Sequence, residues 1–109
     1  MIMGKYYILE GHKVVETALL TWAKWFEGTE HHMADENVGD IRVSTAFLGL
    51  DHSFGYGPPL FFETMVFGGS LDQEQDRYTT WEEAEAGHKA MVKRVKEAIE
   101  TGGEACLKS

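Results

Sequence analysis

The chain has 109 residues, and its ten Lys and Arg against eighteen Asp and Glu give a formal charge of −8 at neutral pH. This acidity excludes direct binding of DNA or RNA, which needs a basic face, and no apolar run is long enough to cross a membrane. The lone cysteine, Cys106, excludes an intramolecular disulfide and a thiolate zinc cluster.

These limits favour a cytoplasmic protein with one α+β domain over residues 1–103 and a loose C-terminal tail at 104–109. Two short extended segments open the chain, at residues 5–10 and 13–16, separated by Gly11 and His12. Glycine allows the positive φ of a two-residue turn, so this pattern predicts a small hairpin.

The first helix is predicted over residues 17–27, with Thr17 as its cap. Its apolar face is defined by spacings of three and four, and Trp25 lies off the centre of that face. The residues of the face are Leu19, Trp22, Ala23 and Phe26.

Residues 29–38 are interpreted as a polar connector. The adjacent His31 and His32, with acidic residues nearby, invite a metal site as the alternative. Neighbouring side chains point apart on any regular element, so the two histidines need a special turn to share one ion. The connector is therefore the favoured interpretation.

Two apolar runs at residues 40–48 and 60–67 are predicted to be adjacent antiparallel strands. The first alternates β-branched and polar residues, whereas the second is apolar on both faces apart from Glu63 and Thr64, as in a covered central strand. A polar stretch at 71–76 and a short edge strand at 77–79 follow. Thr80 and Glu83 then match a capping box that opens a helix over residues 81–100.

The predicted fold is therefore α+β, with a mostly antiparallel sheet of about four to five strands and two helices packed on one face. That arrangement leaves the second sheet face partly bare. Phe61, Met65 and Phe67 share this face with Glu63, so we expect a homodimer to cover it.

The loop at residues 51–57 is the expected working surface, with His52 and Phe54 as its main contacts. The whole connection at residues 49–59 uses eleven residues to join strands that a turn of two to five could join. Asp51 and His52 place an acceptor beside a group that titrates near neutral pH. Phe54 and Tyr56 either plug the end of the core or contact a partner.

Two further polar residues lie in apolar surroundings. His88 falls on the apolar line of the last helix, where it is either a hydrogen-bonded core residue or a side chain that reaches the Asp51–His52 loop. Glu63 needs a partner inside its strand, and Arg42 or His88 could supply one. Together, Asp51, His52, Glu63 and His88 form the alternative candidate, a metal or acid–base cluster.

Several long segments resemble a family of small uncharacterised proteins common in bacteriophage and prophage genomes. They are YYILEGH at 6–12, VSTAFLGLDHSF at 43–54, GPPLFFETMVFGG at 57–69 and YTTWEEAEAGH at 78–88. The family brings no established activity. The resemblance implies an accessory phage protein that acts in the host cytoplasm.

Two functions follow from these observations. The favoured one is a non-enzymatic protein without a cofactor that binds a host protein or a small signalling molecule, in host takeover or counter-defence. The alternative is a small metal-dependent or acid–base hydrolase that uses the cluster of Asp51, His52, Glu63 and His88.

Overall fold

The computed structural model describes residues 5–29 and 31–101. Within these ranges it contains two helices and two antiparallel sheets, of two and four strands, so the predicted α+β class with a mostly antiparallel sheet is confirmed. The elements are β1 (Tyr6–Glu10), β2 (Lys13–Thr17), α1 (Leu19–Gly28), β3 (His32–Val38), β4 (Ile41–Phe47), β5 (Phe62–Phe67), β6 (Gln75–Tyr78) and α2 (Trp81–Glu100). The predicted tail at 104–109 and Cys106 lie outside the described residues.

The predicted first hairpin is present, but the start of the first helix is not where the sequence analysis placed it. Gly11 has a φ of +63° in the turn between β1 and β2. Thr17 pairs with Tyr6 as the last residue of β2, and α1 begins at Leu19 after Ala18, without a side-chain cap. The β-branched Thr17 extends the hairpin, so its prediction as a helix cap is wrong.

Helix α1 uses a different face from the predicted one. Trp22, Trp25 and Phe26 are half-buried, whereas Leu19 and Ala23 are exposed. The rings of Trp25 and Phe26 lie 5.7 and 6.2 Å from that of Phe47 in β4. Three neighbouring aromatic residues therefore anchor the helix, because together they bury more apolar area than the leucine and alanine do.

The region interpreted as a polar connector is largely a strand, β3, which corrects that interpretation. Val38 pairs with Ile41 across a two-residue turn in which Gly39 has a φ of +63°. Positive φ at the first central residue is typical of a hairpin turn. Since β3 is the outer strand of the sheet order β3-β4-β5-β6, it tolerates polar residues that hide the apolar alternation.

The predicted pairing of the two apolar runs is confirmed. β4 and β5 are antiparallel neighbours with Val43 opposite Val66 and Thr45 opposite Thr64. β5 is central, as expected, and β6 forms the other edge. Helix α2 opens with the predicted capping box between Thr80 and Glu83.

Helix α2 packs on the sheet face that carries Val43, Thr45 and Phe47, here called the inner face. Two apolar clusters form the core on this face. One gathers Ile41, Val43, Val66, Met91, Val92 and Val95, and the other gathers Phe47, Phe61, Phe62 and Ala84. Thr45, Thr64 and His88 are also buried, and they form a polar layer between the two clusters.

The opposite face, here called the outer face, carries Arg42, Ser44 and Ala46 of β4 with Glu63, Met65 and Phe67 of β5. Neither helix covers it, so the prediction that β5 is covered on both sides is wrong. Met65 is half-buried and Phe67 is 42 % exposed. Phe61 does not share this exposure, because it is buried against the ring of Tyr7 at 4.5 Å.

No helix among the described residues is both long enough and apolar enough to span a membrane.

Candidate functional site

The connection between β4 and β5 is closed at its base by backbone hydrogen bonds. The Leu48 amide donates to the Phe61 carbonyl at 2.7 Å, and the His52 amide donates to the Leu60 carbonyl at 2.9 Å. These bonds continue the pairing of the two strands past their assigned ends. The part that projects into solvent is therefore shorter than the sequence suggested, and it covers residues 54–58.

The Asp51 side chain holds the two ends of the projecting segment together by hydrogen bonds. Its Oδ1 accepts hydrogen bonds from the amides of Ser53 at 2.8 Å and Leu60 at 2.9 Å, which lie on the two sides of the loop. The buried Ser53 then accepts from the Gly55 amide through Oγ and from the Tyr56 amide through its carbonyl. The Asp51 carboxylate therefore has a structural role in the loop, and its bond to the amide two residues on is that of an Asx turn.

The electrostatics of Asp51 agree with this structural role. Burial disfavours its charged form, but the amide hydrogen bonds from Leu60 and Ser53 outweigh burial and hold the pKa of Asp51 below its ordinary value. The group is therefore ionised at neutral pH and has both amides as partners. It does not have the raised pKa of a general acid.

The aromatic side chains of the loop point into solvent. Phe54 is 76 % exposed and Tyr56 is 84 % exposed. Phe54 also has a φ of +54°, a left-handed conformation that is unfavourable for a bulky residue. The loop thus holds Phe54 in a strained, exposed position, and the interpretation of Phe54 as a plug of the core is wrong.

His52 and Leu50 lie at the base of the exposed segment. The half-buried ring of His52 meets the ring of Phe54 edge-on, with 6.0 Å between centroids. Leu50 is 36 % exposed. An open hollow of about 340 Å³ lies on this side of the loop, lined by Lys5, Tyr7, Leu50, Asp51, Phe54 and Gly55.

The structure does not bring Glu63 and His88 to this loop. Glu63 lies on the outer face, where its Oε2 accepts a hydrogen bond from Arg77 Nε at 3.0 Å. Its partner is neither Arg42 nor His88, because the β5–β6 register sets Arg77 directly opposite. Arg42 instead forms a two-point contact with Asp35 at 2.7 and 2.8 Å.

His88 is a core residue of the inner face, only 4 % exposed. Its Nε2 donates to Glu36 Oε1 at 3.0 Å, and its Nδ1 is 2.7 Å from Thr45 Oγ1. Both ring nitrogens of His88 therefore have hydrogen-bond partners. His88 and Glu63 thus lie on opposite faces of one sheet, and the proposed cluster with Asp51 and His52 is not formed.

The adjacent histidines are also separated. The Nε2–H of His31 donates to the Phe26 carbonyl at 3.2 Å, while His32 begins β3 opposite Ala46. Among residues 5–29 and 31–101, no group of three or more His, Cys, Asp or Glu side chains is placed to hold a metal ion.

Exposed apolar residues on α1 are a further candidate surface that was not predicted from the sequence. Leu19 is 50 % exposed and Leu20 is 78 % exposed. A built Cβ on Gly49 would collide with the Phe26 ring, so the loop leaves the sheet directly beside this helix. Two successive leucines cannot both face the core from one helix, and that was the available signal.

No protein-family model, curated protein or solved structure matches this chain at a significant level. The resemblance to a phage family therefore stays a prediction from the sequence.

Proposed function

We propose that this chain is a non-enzymatic binding protein that contacts another protein through the loop of residues 50–57, called the aromatic loop below. The observation that carries the proposal is the exposure of Phe54 and Tyr56 on a backbone fixed from inside by Asp51. An aromatic side chain carries about 150–250 Å² of surface, so the two rings expose roughly 300 Å² together. The largest apolar patch on a typical monomeric protein is about this size and is often functional.

A protein partner fits this surface better than a small ligand. Small molecules bind in concave sites that enclose most of their area, whereas both rings project outward from the loop. The adjoining hollow, lined in part by Leu50 and Phe54, is open to solvent. The partner would therefore supply the pocket and the aromatic loop would supply the side chains that fill it.

Pre-organisation supports the same conclusion. The Asp51 carboxylate and the buried Ser53 fix the loop before any partner arrives. A loop that is already ordered loses little conformational entropy on binding. The formal charge of −8 further suits a basic partner surface through long-range attraction.

We further propose that the chain is an accessory phage protein that occupies a host protein in the cytoplasm, because several of its segments resemble a phage family. A protein that occupies a host protein in this way could serve host takeover or counter-defence. The hydrolase alternative depended on a cluster of Asp51, His52, Glu63 and His88. Glu63 and His88 lie on opposite faces of the sheet, so this cluster is not formed.

The test compares affinity capture from host lysate by the wild type and by the double variant Phe54→Ala/Tyr56→Ala, read by quantitative mass spectrometry. We expect the captured host protein to be lost with the double variant. Its free energy of unfolding should stay within about 0.5 kcal/mol of the wild type, because exposed side chains contribute little to stability.

Phe67→Ala is the matched control, since Phe67 is also an exposed aromatic residue but lies on the outer face. This variant should capture the same protein as the wild type. Adding the purified partner should slow amide exchange across residues 52–57. Capture that survives loss of both loop rings would refute the proposal.

Self-association through the outer face is a separate proposal. Met65 and Phe67 remain available there, whereas Phe61 is buried. Light scattering at tens of micromolar should give a dimer for the wild type and a monomer for Phe67→Glu. A monomeric wild type would exclude this contact.

A further inference from the structure

Within residues 5–29 and 31–101, no strand pairs with the second edge of β3, which is a long edge of the four-stranded sheet. Strand β3 pairs only with β4, and from Met33 to Val38 it makes no backbone hydrogen bond to any other described element. An open edge of this kind offers main-chain donors and acceptors to an added strand.

The register identifies the groups that face outward. Val38 and Ile41 close a two-residue turn and form a hydrogen-bonded pair, and such pairs alternate along antiparallel strands. The amide of Phe47 donates to the His31 carbonyl, which confirms that the odd-numbered residues of β4 face β3. The amides and carbonyls of Asp35 and Asn37 therefore point away from β4, along the open edge.

Each of the two acidic side chains of β3 has a hydrogen-bond partner within the protein. Asp35 is neutralised on the outer face by Arg42, whose hydrogen bonds hold the pKa of Asp35 below its ordinary value. Glu36 turns to the inner face and accepts the hydrogen bond from His88. Charged side chains commonly protect edge strands from added strands. Here Asp35 is paired with Arg42, and Glu36 is hydrogen-bonded to His88.

A row of three lysines on α2 lies beside the β3 edge. Lys89, Lys93 and Lys96 lie on α2 at spacings of four and three, and with Glu36 and Val92 they line a hollow of about 330 Å³. All three are exposed, and within the described part of the chain none of their ammonium groups has an ion-pair partner. Among the residues that line this hollow, Glu36 is the one acidic residue, and it already accepts a hydrogen bond from His88.

We propose that the β3 edge and this lysine row together bind an extended acidic peptide segment of another protein. The segment adds as a strand beside β3, pairing with the amides and carbonyls of Asp35 and Asn37. Lys89 and Lys93 are about 6 Å apart along the helix, and alternate side chains of a strand are about 7 Å apart. Acidic residues at alternate positions of the segment therefore meet successive lysines.

A second copy of this chain fits the edge less well. Two β3 strands paired about a two-fold axis would bring the lysine row of one copy beside the lysine row of the other, and like charges placed together oppose association. The overall charge of −8 opposes an acidic segment at long range, but salt limits that repulsion to within about 8 Å at physiological ionic strength. The nearby lysines then decide the interaction.

The experiment uses a fluorescent octapeptide of alternating threonine and glutamate with blocked ends. Anisotropy titration should show binding to the wild type that weakens as salt is added. Lys89→Glu/Lys93→Glu should weaken the affinity by about tenfold or more. Lys13→Glu/Lys24→Glu is the matched control, because it changes the net charge equally at two exposed lysines elsewhere and should bind nearly as the wild type does.

Two further arms test strand addition itself. The same peptide methylated on alternate backbone nitrogens keeps its charges but loses main-chain donors, so its binding should fail. In the wild type, bound peptide should slow hydrogen exchange at the amides of Asp35 and Asn37. No binding, equal binding to both double variants, or equal binding of the methylated peptide overturns the proposal, as does protection of these amides by self-association without peptide.

Discussion

Replacement of Asp51 by alanine tests whether one carboxylate fixes the aromatic loop. The substitution removes the acceptor of two amide hydrogen bonds, from Ser53 at 2.8 Å and from Leu60 at 2.9 Å. Since these amides lie on the two sides of the loop, we expect both its stability and its shape to change.

The magnitude follows from the type of bond lost. A hydrogen bond to a charged acceptor contributes about 1.5–3 kcal/mol when buried, but Asp51 is only half-buried and water can reach the freed amides. We therefore expect Asp51→Ala to lower the free energy of unfolding by about 2 kcal/mol. Asp51→Asn keeps an acceptor without the charge, and it should cost about half as much.

The pH dependence separates the charge from the shape of the side chain. Because the folded pKa of Asp51 lies below the ordinary value of 3.8, its contribution is complete above that value. It is lost as the pH falls through the lowered folded pKa. The gap between the wild type and Asp51→Ala should thus be equal at pH 7 and pH 5 and should narrow below about pH 4.

Urea denaturation of the wild type and both variants across this pH range measures these gaps. Capture of the partner should fall with Asp51→Ala even where the protein remains folded, because the aromatic loop loses its shape. Equal stability of Asp51→Ala and wild type at pH 7, or a gap that does not respond to acid, would refute the reasoning.

Three other substitutions test how α2 begins and packs on the sheet, and each is measured by the free energy of unfolding. Gly87→Ala should destabilise the protein although alanine is the better helix former by about 1 kcal/mol, because the new Cβ would collide with the ring of Tyr78; a stabilised variant would contradict this contact. His88→Ala should cost about 2–4 kcal/mol through a cavity and a lost partner for the Thr45 hydroxyl, and its partner capture should be unchanged at a temperature where it is folded. Thr80→Ala should cost about 1 kcal/mol, because it removes the capping bond to the Glu83 amide, and an unchanged stability would show that the cap is unimportant.

The sequence specified the elements whose signals are local. The capping box at Thr80 and Glu83 places the start of α2 correctly, because its hydrogen bonds involve neighbouring residues alone. The alternation in β4 and the apolar run in β5 predict their pairing, since strand periodicity and burial are written in the side chains themselves. The turn at Gly11 is local in the same sense.

The sequence failed where the deciding contact is distant or the strand is at an edge. β3 is polar because one edge of it faces solvent, and only the Gly39 turn between Val38 and Ile41 marked it as half of a hairpin. Thr17 has the side chain of a helix N-cap, but it pairs with Tyr6 as the last residue of β2.

The candidate site divides in the same way. Loop length and composition predict a working surface at residues 51–57, and this stays a prediction. The structure adds that Phe54 and Tyr56 of this loop are exposed. The sequence alone could not separate Glu63 from His88, because the face on which a side chain lies depends on strand register and on which side α2 packs. Tertiary structure decided that Glu63 meets Arg77 and that His88 is buried against Thr45 and Glu36, since these contacts join residues far apart in the chain.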